Sequence, residues 1–203
     1  MKIKICGLTR PEEADYVNRN QVDFAGMVLF FQKSKRNISI DQAKTILAAL
    51  NPPVKSVAVV VSPTPDQAMQ IEQAGFDYIQ IHGELSHEIL EKGSLPILRA
   101  LNSPSMTEFE SCEKSPRIAG YVIDAAEPGS GKPFDWNTAK SFPRNGKLFL
   151  LAGGLTPENV ADAIRAVQPD GVDVSSGVEL TKELPDKDAV KIDLFVKRVR
   201  ETC

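Results

Sequence analysis

Short apolar segments rich in β-branched residues alternate with amphipathic segments along almost the whole chain. The apolar segments are four to eight residues long, as is typical of buried strands. We predict strands at Lys2–Cys6, Val22–Leu29, Lys55–Val61, Asp77–Ile81, Ile97–Leu101, Ile118–Asp124, Lys147–Ala152 and Gly171–Val174. The segments between them repeat apolar residues at helical spacing. We predict helices at Pro11–Asn18, Ile40–Leu50, Pro65–Gln73, Ser86–Lys92, Ser105–Cys112, Asp135–Ser141, Pro157–Val167 and Asp186–Arg200.

Capping residues and short loops indicate how the predicted strands and helices are connected. Ser39, Thr64 and Thr156 are typical N-cap residues, and Pro65 and Pro157 stand at favourable first helical positions. Eight strand–helix pairs with short loops require parallel strands, because parallel neighbours need a crossover connection. The pattern predicts an α/β fold, one (β/α)8 TIM-barrel domain over residues 1–203. A doubly wound open sheet is the alternative.

Composition excludes some classes of function. The chain has 203 residues and a net charge of −3, so it has no overall attraction for nucleic acids or anionic membranes. No apolar stretch approaches the ~20 residues of a membrane helix, and we expect a strand rather than a signal peptide at the N-terminus. The three cysteines are too few and too far apart for a disulfide framework. We therefore expect a cytoplasmic protein.

Two predicted strands end on a reactive side chain. Cys6 ends the first strand and Asp124 ends the sixth. In a barrel the C-terminal ends of the strands share one mouth, where catalytic groups gather. Side-chain alternation turns Lys4 and Cys6 into the barrel. An acid–base pair at this mouth is the functional interpretation; the alternative is that Cys6 is a small buried apolar residue and Asp124 caps a turn.

The same alternation places other polar residues inside the barrel. Lys4 would be costly to bury without a partner, and Asp173 on the neighbouring last strand is the candidate. Gln80 and His82 also point inward, which makes them candidate ligand contacts at the mouth. His82 precedes Gly83, however, and could equally be an ordinary turn histidine.

Glycine-rich loops after the last two strands predict an anion site. Gly153 and Gly154 follow the seventh strand, and Ser175, Ser176 and Gly177 follow the eighth. Glycine lets the backbone approach a ligand closely, and the loops after strands seven and eight commonly bind phosphate in such barrels. Both loops could otherwise be simple tight turns.

Two further loops carry charge. Lys33-Ser34-Lys35-Arg36 places three cations at the same mouth, where Arg36 could hold a carboxylate by a two-pronged contact. A solvated surface run is the usual explanation for such a segment. Gly129-Ser130-Gly131-Lys132 lacks the full P-loop pattern, so we interpret it as a mobile loop that could close over a substrate.

Taken together, these segments resemble one enzyme family, phosphoribosylanthranilate isomerase, a (β/α)8 enzyme of tryptophan biosynthesis. The resemblance is spread in order over nearly the whole chain, with each match at a strand end. The matching segments are Lys4-Ile5-Cys6-Gly7-Leu8-Thr9, Lys33-Ser34-Lys35-Arg36, Ile79-Gln80-Ile81-His82-Gly83, Asp124 with Gly129-Ser130-Gly131-Lys132 and Phe134-Asp135-Trp136, Ala152-Gly153-Gly154-Leu155, and Asp173-Val174-Ser175-Ser176-Gly177-Val178-Glu179.

The resemblance implies a reaction and two catalytic roles. The substrate would carry an anthranilate carboxylate, a ribose ring and a 5-phosphate, and an Amadori rearrangement would turn this aminoaldose into an aminoketose. Asp124 would be the general acid that opens the ring, and Cys6 the general base that removes the proton from C2′. No cofactor or metal is implied. The partner is a small phosphosugar, not a nucleic acid or a membrane, and the protein would be a monomer or a homodimer.

The resemblance also implies how the substrate is held. Arg36 would hold the anthranilate carboxylate. Gly154 and the loop of Ser175, Ser176 and Gly177 would hold the phosphate, and Asp173 would lie near the reacting carbons.

The chain departs from the family pattern in two places. Lys35 and Gln32 stand where the family usually has prolines, so we expect this loop to be more mobile or more cationic. After Glu179 the segment Leu180–Asp188 is longer than usual and lacks the common proline–glycine pair. We expect these changes to affect the geometry of the last loop and leave Cys6 and Asp124 untouched.

Rival functions predict other sequence features. A metal-dependent epimerase would need several histidine ligands, and only His82 and His87 are present. An indole-forming synthase of the same pathway would be expected to extend beyond the N-terminus seen here. A non-catalytic phosphate-binding module would need no reactive pair. A thiol redox protein would need a Cys-x-x-Cys pattern around Cys6.

Overall fold

Parallel strands form the centre of the computed structural model, which describes residues 1–102, 106–124, 136–181 and 183–202. The strands are β1 Lys2–Cys6, β2 Phe24–Leu29, β3 Asn37–Ile38, β4 Lys55–Val61, β5 Tyr78–His82, β6 Ile97–Asn102, β7 Ile118–Asp124, β8 Leu148–Ala152 and β9 Gly171–Val174. The helices are α1 Glu13–Arg19, α2 Ile40–Ala49, α3 Pro65–Ala74, α4 His87–Lys92, α5 Met106–Cys112, α6 Trp136–Lys140, α7 Val160–Val167 and α8 Ala189–Thr202.

The sheet closes into a barrel because β1 pairs in parallel with both β2 and β9. The remaining order is β9-β8-β7-β6-β5-β4-β2, and each of these pairings is parallel. The short strand β3 pairs only with the end of β2. The predicted (β/α)8 barrel is confirmed, and the open doubly wound sheet is excluded.

Two apolar layers follow from the alternation along the strands. Ile3 and Ile5 belong to the large layer between the sheet and the helices. Cys6, Val57 and Leu150 belong to the smaller layer inside the barrel. The predicted directions of Ile3, Ile5 and Cys6 on β1 are therefore confirmed. Within the described part of the chain, no helix is long and apolar enough to cross a membrane.

The predicted helix starts are correct where the N-cap side chain forms a capping box. Ser39 and Thr64 both form capping boxes, with Gln42 and Gln67 respectively. The predicted start of α7 at Pro157 was wrong, because the helix begins at Val160.

The polar groups before α7 explain that error. The Thr156 hydroxyl accepts from the Glu158 N–H at 3.2 Å, and the Thr156 N–H donates to Asn159 Oδ1 at 2.8 Å. These bonds form a local turn in place of the first helical turn. The predicted loop Gly129–Lys132 and the helix starts at Ser105 and Asp135 lie outside the described residues.

Aspartates preceding strands fasten the end of the barrel that lies opposite the strand C-termini. Asp77 accepts from the main-chain N–H and hydroxyl of Ser56, both at 2.9 Å, and from Lys55 Nζ at 2.8 Å. Asp23 and Asp170 accept from the N–H of a neighbouring strand in the same way. Burial opposes the charge of Asp77, but its bonds to Lys55 and Ser56 hold its pKa below the ordinary value.

We expect Asp77→Ala to lower the free energy of unfolding by about 1–3 kcal/mol, because it leaves a strand N–H and a hydroxyl without an acceptor. The measurement is urea unfolding, with the exposed Asp66→Ala in α3 as the control. Equal stability of the two variants would contradict this role.

Candidate active site

A cavity of about 570 Å³ opens at the C-terminal ends of the barrel strands. Nearly all the site residues predicted from the sequence line it: Cys6, Arg36, Gln80, His82, Asp124, Gly154, Asp173, Ser175 and Ser176. Gly177 lies just behind, in a single 3₁₀ turn over Ser176–Val178. The thiol and the carboxyl that end β1 and β7 thus share one cavity, although they lie far apart in the chain.

Cys6 lies beside a buried ion pair. Lys4 donates to both carboxylate oxygens of Asp173, at 3.0 and 3.1 Å, and β1 and β9 place the two residues in register. The predicted Lys4–Asp173 pair is confirmed. Burial opposes the charge of Lys4, but Asp173 and the sulfur of Cys6 raise its pKa above the ordinary value. The cation can therefore stabilise negative charge on the sulfur.

Gly26 on β2 leaves the room that Lys4 and Cys6 need. A Cβ at Gly26 would lie 2.9 Å from Cys6 Sγ and 3.1 Å from Lys4 Nζ. Both atoms therefore lie within 3.1 Å of one point inside the barrel. A larger residue would push the ammonium and the sulfur out of this arrangement.

Gln80 and His82 point into the cavity, as their alternation on β5 predicts. The Gln80 amide donates to Nε2 of His82 at 2.9 Å, an arrangement that fits a neutral imidazole. Desolvation, together with the positive charges of Lys4 and Arg99, lowers the pKa of His82 to about 4. The buried Oε1 of Gln80 accepts no hydrogen bond from the described residues.

Arg36 reaches the cavity from the loop after β2. Its Nε donates to Glu179 Oε1 at 2.5 Å, and Lys35 Nζ donates to Glu179 Oε2 at 2.8 Å. The Glu179 side chain is almost fully buried. Burial opposes its charge, but bonds from Arg36 and Lys35 and the charge of Lys187 hold its pKa below the ordinary value. A buried carboxylate therefore balances the two cations of this loop.

The loops after β8 and β9 lie against each other and both line the cavity. Gly153 and Gly154 both have positive φ, at +90° and +63°, a conformation that favours glycine. A Cβ at Gly177 would overlap the carbonyl oxygen of Leu155. The two predicted anion loops are thus in direct contact, and glycine at 177 is required for it.

Asp124 ends β7 between Asn102 of β6 and Ala152 of β8. It is partly exposed and faces the cavity. The segment that follows it, residues 125–135, lies outside the described residues.

Two residues of the site, Glu179 and Lys187, were not predicted. Lys187 is fully buried, and its ammonium contacts Ser175 O at 3.2 Å, Ser175 Oγ at 3.4 Å and Glu179 Oε1 at 3.3 Å. An antiparallel bridge between Glu179 and Lys187 closes the long last loop. Sequence alone gave only a weak signal, a charged residue at each end of the segment that departs from the family pattern.

His82 should make the protein less stable as the pH falls. Its folded pKa of about 4 lies below the ordinary 6.5, so between these values the unfolded state binds the extra proton. The contribution of His82 to the free energy of unfolding is therefore fully present above pH 6.5. It is lost as the pH falls towards 4, and the loss is about 3 kcal/mol. We expect His82→Gln to reduce this loss in urea unfolding at pH 7.5 and 4.5. His87→Gln, on an exposed histidine, is the control and should behave as wild type.

Comparison with known proteins agrees with this geometry. Residues 3–198 match the family described as N-(5'-phosphoribosyl)anthranilate (PRA) isomerase. An N-(5'-phosphoribosyl)anthranilate isomerase of Geotalea uraniireducens is 37% identical, over 98% of both chains. The phosphoribosyl anthranilate isomerase of Thermotoga maritima superimposes with a TM-score of 0.85 at 33% identity, over 99% of both chains.

A further solved structure contains a bound ligand. It is a phosphoribosyl anthranilate isomerase in complex with reduced 1-(o-carboxyphenylamino)-1-deoxyribulose 5-phosphate, with a TM-score of 0.80 and 31% identity over 99% of both chains. The family match and these full-length similarities lead to one conclusion. The chain belongs to the N-(5'-phosphoribosyl)anthranilate isomerase family.

Proposed function

We propose that the protein converts N-(5'-phosphoribosyl)anthranilate into 1-(2-carboxyphenylamino)-1-deoxyribulose 5-phosphate, as an isomerase of tryptophan biosynthesis. The observation that carries this proposal is the single cavity lined by Cys6, Asp124, Arg36 and the two anion loops. It offers an acid, a base and a site for each anionic end of such a substrate. The rearrangement moves protons within one molecule, so it needs no redox cofactor or metal.

Asp124 and Cys6 are the proposed acid and base. Asp124 protonates the ring oxygen as the C1′–oxygen bond breaks, and the nitrogen lone pair forms the C=N bond, which opens the furanose to a protonated imine. Cys6, as thiolate, then removes the proton from C2′, and the enolamine that forms tautomerises to the ketone. The ammonium of Lys4 stabilises the thiolate before that transfer. Positioned acid–base groups typically contribute 10²–10⁴-fold each.

The two ends of the cavity would hold the two ends of the substrate. Arg36 binds the anthranilate carboxylate with its terminal nitrogens, because Nε already donates to Glu179. Gly154 and the loop of Ser175, Ser176 and Gly177 bind the phosphate.

Residues between these ends would contact the ribose. The unpartnered Oε1 of Gln80 accepts from a ribose hydroxyl, and neutral His82 lies beside it. Asp173 lies near the reacting carbons, where its carboxylate accepts from Lys4.

The proposal fits a cytoplasmic enzyme. It is the same for a monomer or a homodimer, since every residue named comes from one chain. A small phosphosugar is the only partner that the chemistry needs.

Loss of either reactive group tests the assignment directly. We expect Cys6→Ala and Asp124→Asn to reduce kcat by about 10²–10⁴-fold or more, while both variants fold and bind inorganic phosphate as wild type does. The measurements are turnover of N-(5'-phosphoribosyl)anthranilate, circular dichroism and phosphate titration. Cys112→Ala, on a buried cysteine of α5 outside this cavity, should keep wild-type turnover. Wild-type turnover in either of the first two variants would overturn the assignment.

Gly177 offers a test of the phosphate end. Gly177→Ala pushes the last loop away from Leu155, so we expect it to raise the inhibition constant of inorganic phosphate about tenfold or more. Gly171→Ala is the matched control. Gly171 is the first residue of β9, and its Cβ would clash with Lys2 O at the end of the barrel away from the cavity. The control should lose stability yet keep its phosphate inhibition constant. If both variants bind phosphate equally, the phosphate site lies elsewhere.

A further inference from the structure

Glu179 contacts Arg36 directly and Ser175 by way of Lys187. Arg36 and Ser175 line the cavity close to each other, because a Cβ at Gly7 would lie 2.5 Å from Arg36 Cδ and 3.1 Å from Ser175 Oγ. The Glu179 side chain is 1% exposed and carries three cationic contacts. Oε1 accepts from Arg36 Nε and from Lys187 Nζ, and Oε2 accepts from Lys35 Nζ. A buried carboxylate with three cations is held in place, because a charge without its partners would be costly there.

One of these contacts fixes Arg36. Nε is taken by Glu179, and no described residue accepts a hydrogen bond from either terminal nitrogen. On its other side the arginine lies against Gly7, where a Cβ would come 2.5 Å from Arg36 Cδ. Glu179 and Gly7 together hold the Arg36 side chain, which lines the cavity.

Another contact leads to the phosphate end. Lys187 is fully buried and joins Glu179 to the carbonyl and hydroxyl of Ser175. Its main-chain N–H donates to Glu13, which also accepts from the N–H of Thr9 in the loop after Cys6. Lys187 therefore fixes the loop of Ser175 although it does not line the cavity.

We propose that Glu179 is a positioning residue that couples the two anion-binding ends of the site: directly through Arg36 and, by way of Lys187, through Ser175. This inference rests on the proposed function for the identity of the two ends. It does not place Glu179 or Lys187 in contact with the substrate. Lys35 neutralises the second oxygen, so the carboxylate can serve both ends at once.

Two other effects of Glu179 must be separated from positioning. The negative charge of Glu179 repels anions that bind nearby. If this repulsion were its only effect, removing the charge would tighten the binding of both the phosphate and the carboxylate. Glu179 also supports its loop through the main chain, since its carbonyl accepts from Lys191 Nζ at 2.6 Å. Positioning alone predicts that loss of the charge weakens both ends.

The test is Glu179→Gln, measured by kinetics and by direct titration. We expect KM and the inhibition constant of inorganic phosphate each to rise about tenfold or more, with kcat changed less than about threefold. Titration with inorganic phosphate and with anthranilate should show the same weakening of both probes. A decrease of either dissociation constant would overturn the proposal in favour of the field effect.

Two further variants complete the design. Lys191→Met removes the main-chain contact and leaves the carboxylate. We expect wild-type KM, and an effect equal to that of Glu179→Gln would overturn the proposal.

The double variant Glu179→Gln/Lys187→Met removes one charge of each sign, so it folds more readily than either single change. It should raise the phosphate constant no further than Lys187→Met alone, because Glu179 acts through that lysine. Additive effects would contradict the coupling.

The proposed function and this inference fail in different ways. If wild-type protein has no isomerase activity, the function is wrong, but the two titrations still measure whether Glu179 couples the ends. If wild type turns over and the titrations of Glu179→Gln match wild type, the function stands and the coupling is wrong.

Discussion

The buried pair of Lys4 and Asp173 is the interaction on which the active end of this barrel depends. It joins the first and last strands across the point where the sheet closes, and it lies inside the barrel next to Cys6. A buried ammonium is tolerated only with a partner, so the pair requires the register in which Lys4 faces Asp173. A slip of one residue would turn Lys4 towards the apolar helix layer and Cys6 away from the cavity. The same register that closes the fold therefore delivers the reactive sulfur with a cation beside it.

The two ends of the barrel use charged side chains in different ways. At the end opposite the cavity, Asp23, Asp77 and Asp170 each accept from a strand N–H, and Asp23 and Asp77 also accept from a lysine. At the cavity end, Glu179 takes Nε of Arg36, and no other described side chain accepts from this guanidinium. Saturated charges stabilise the fold, whereas charges held by a rear partner can also meet a ligand. This division explains how one small barrel can combine rigid closure at one end with the proposed anion recognition at the other.

Sequence reasoning succeeded where a local period decides the structure. The two-residue period of β1 predicted the directions of Ile3, Lys4 and Cys6, and the closure of the barrel then implied Asp173. Sequence reasoning failed where the structure depends on hydrogen bonds between side chains or on residues that are distant in the sequence. The start of α7 depends on how Thr156 and Asn159 share their hydrogen bonds, and β3 is too short to carry a pattern. Glu179 and Lys187 are functional candidates only because the fold brings Arg36 and Ser175 to them, a fact that no local spacing contains.

The loop after β2 and the long last loop meet at Glu179. Lys35 donates to Oε2, and the last loop returns Lys187 to Oε1, which also accepts from Arg36 Nε. Main-chain bonds close the last loop, since Leu180 N–H donates to Asp186 O and Asp188 N–H to Val178 O. A buried carboxylate is costly without partners, so the cations of both loops are held to it. One carboxylate therefore fixes two loops that are far apart in the sequence.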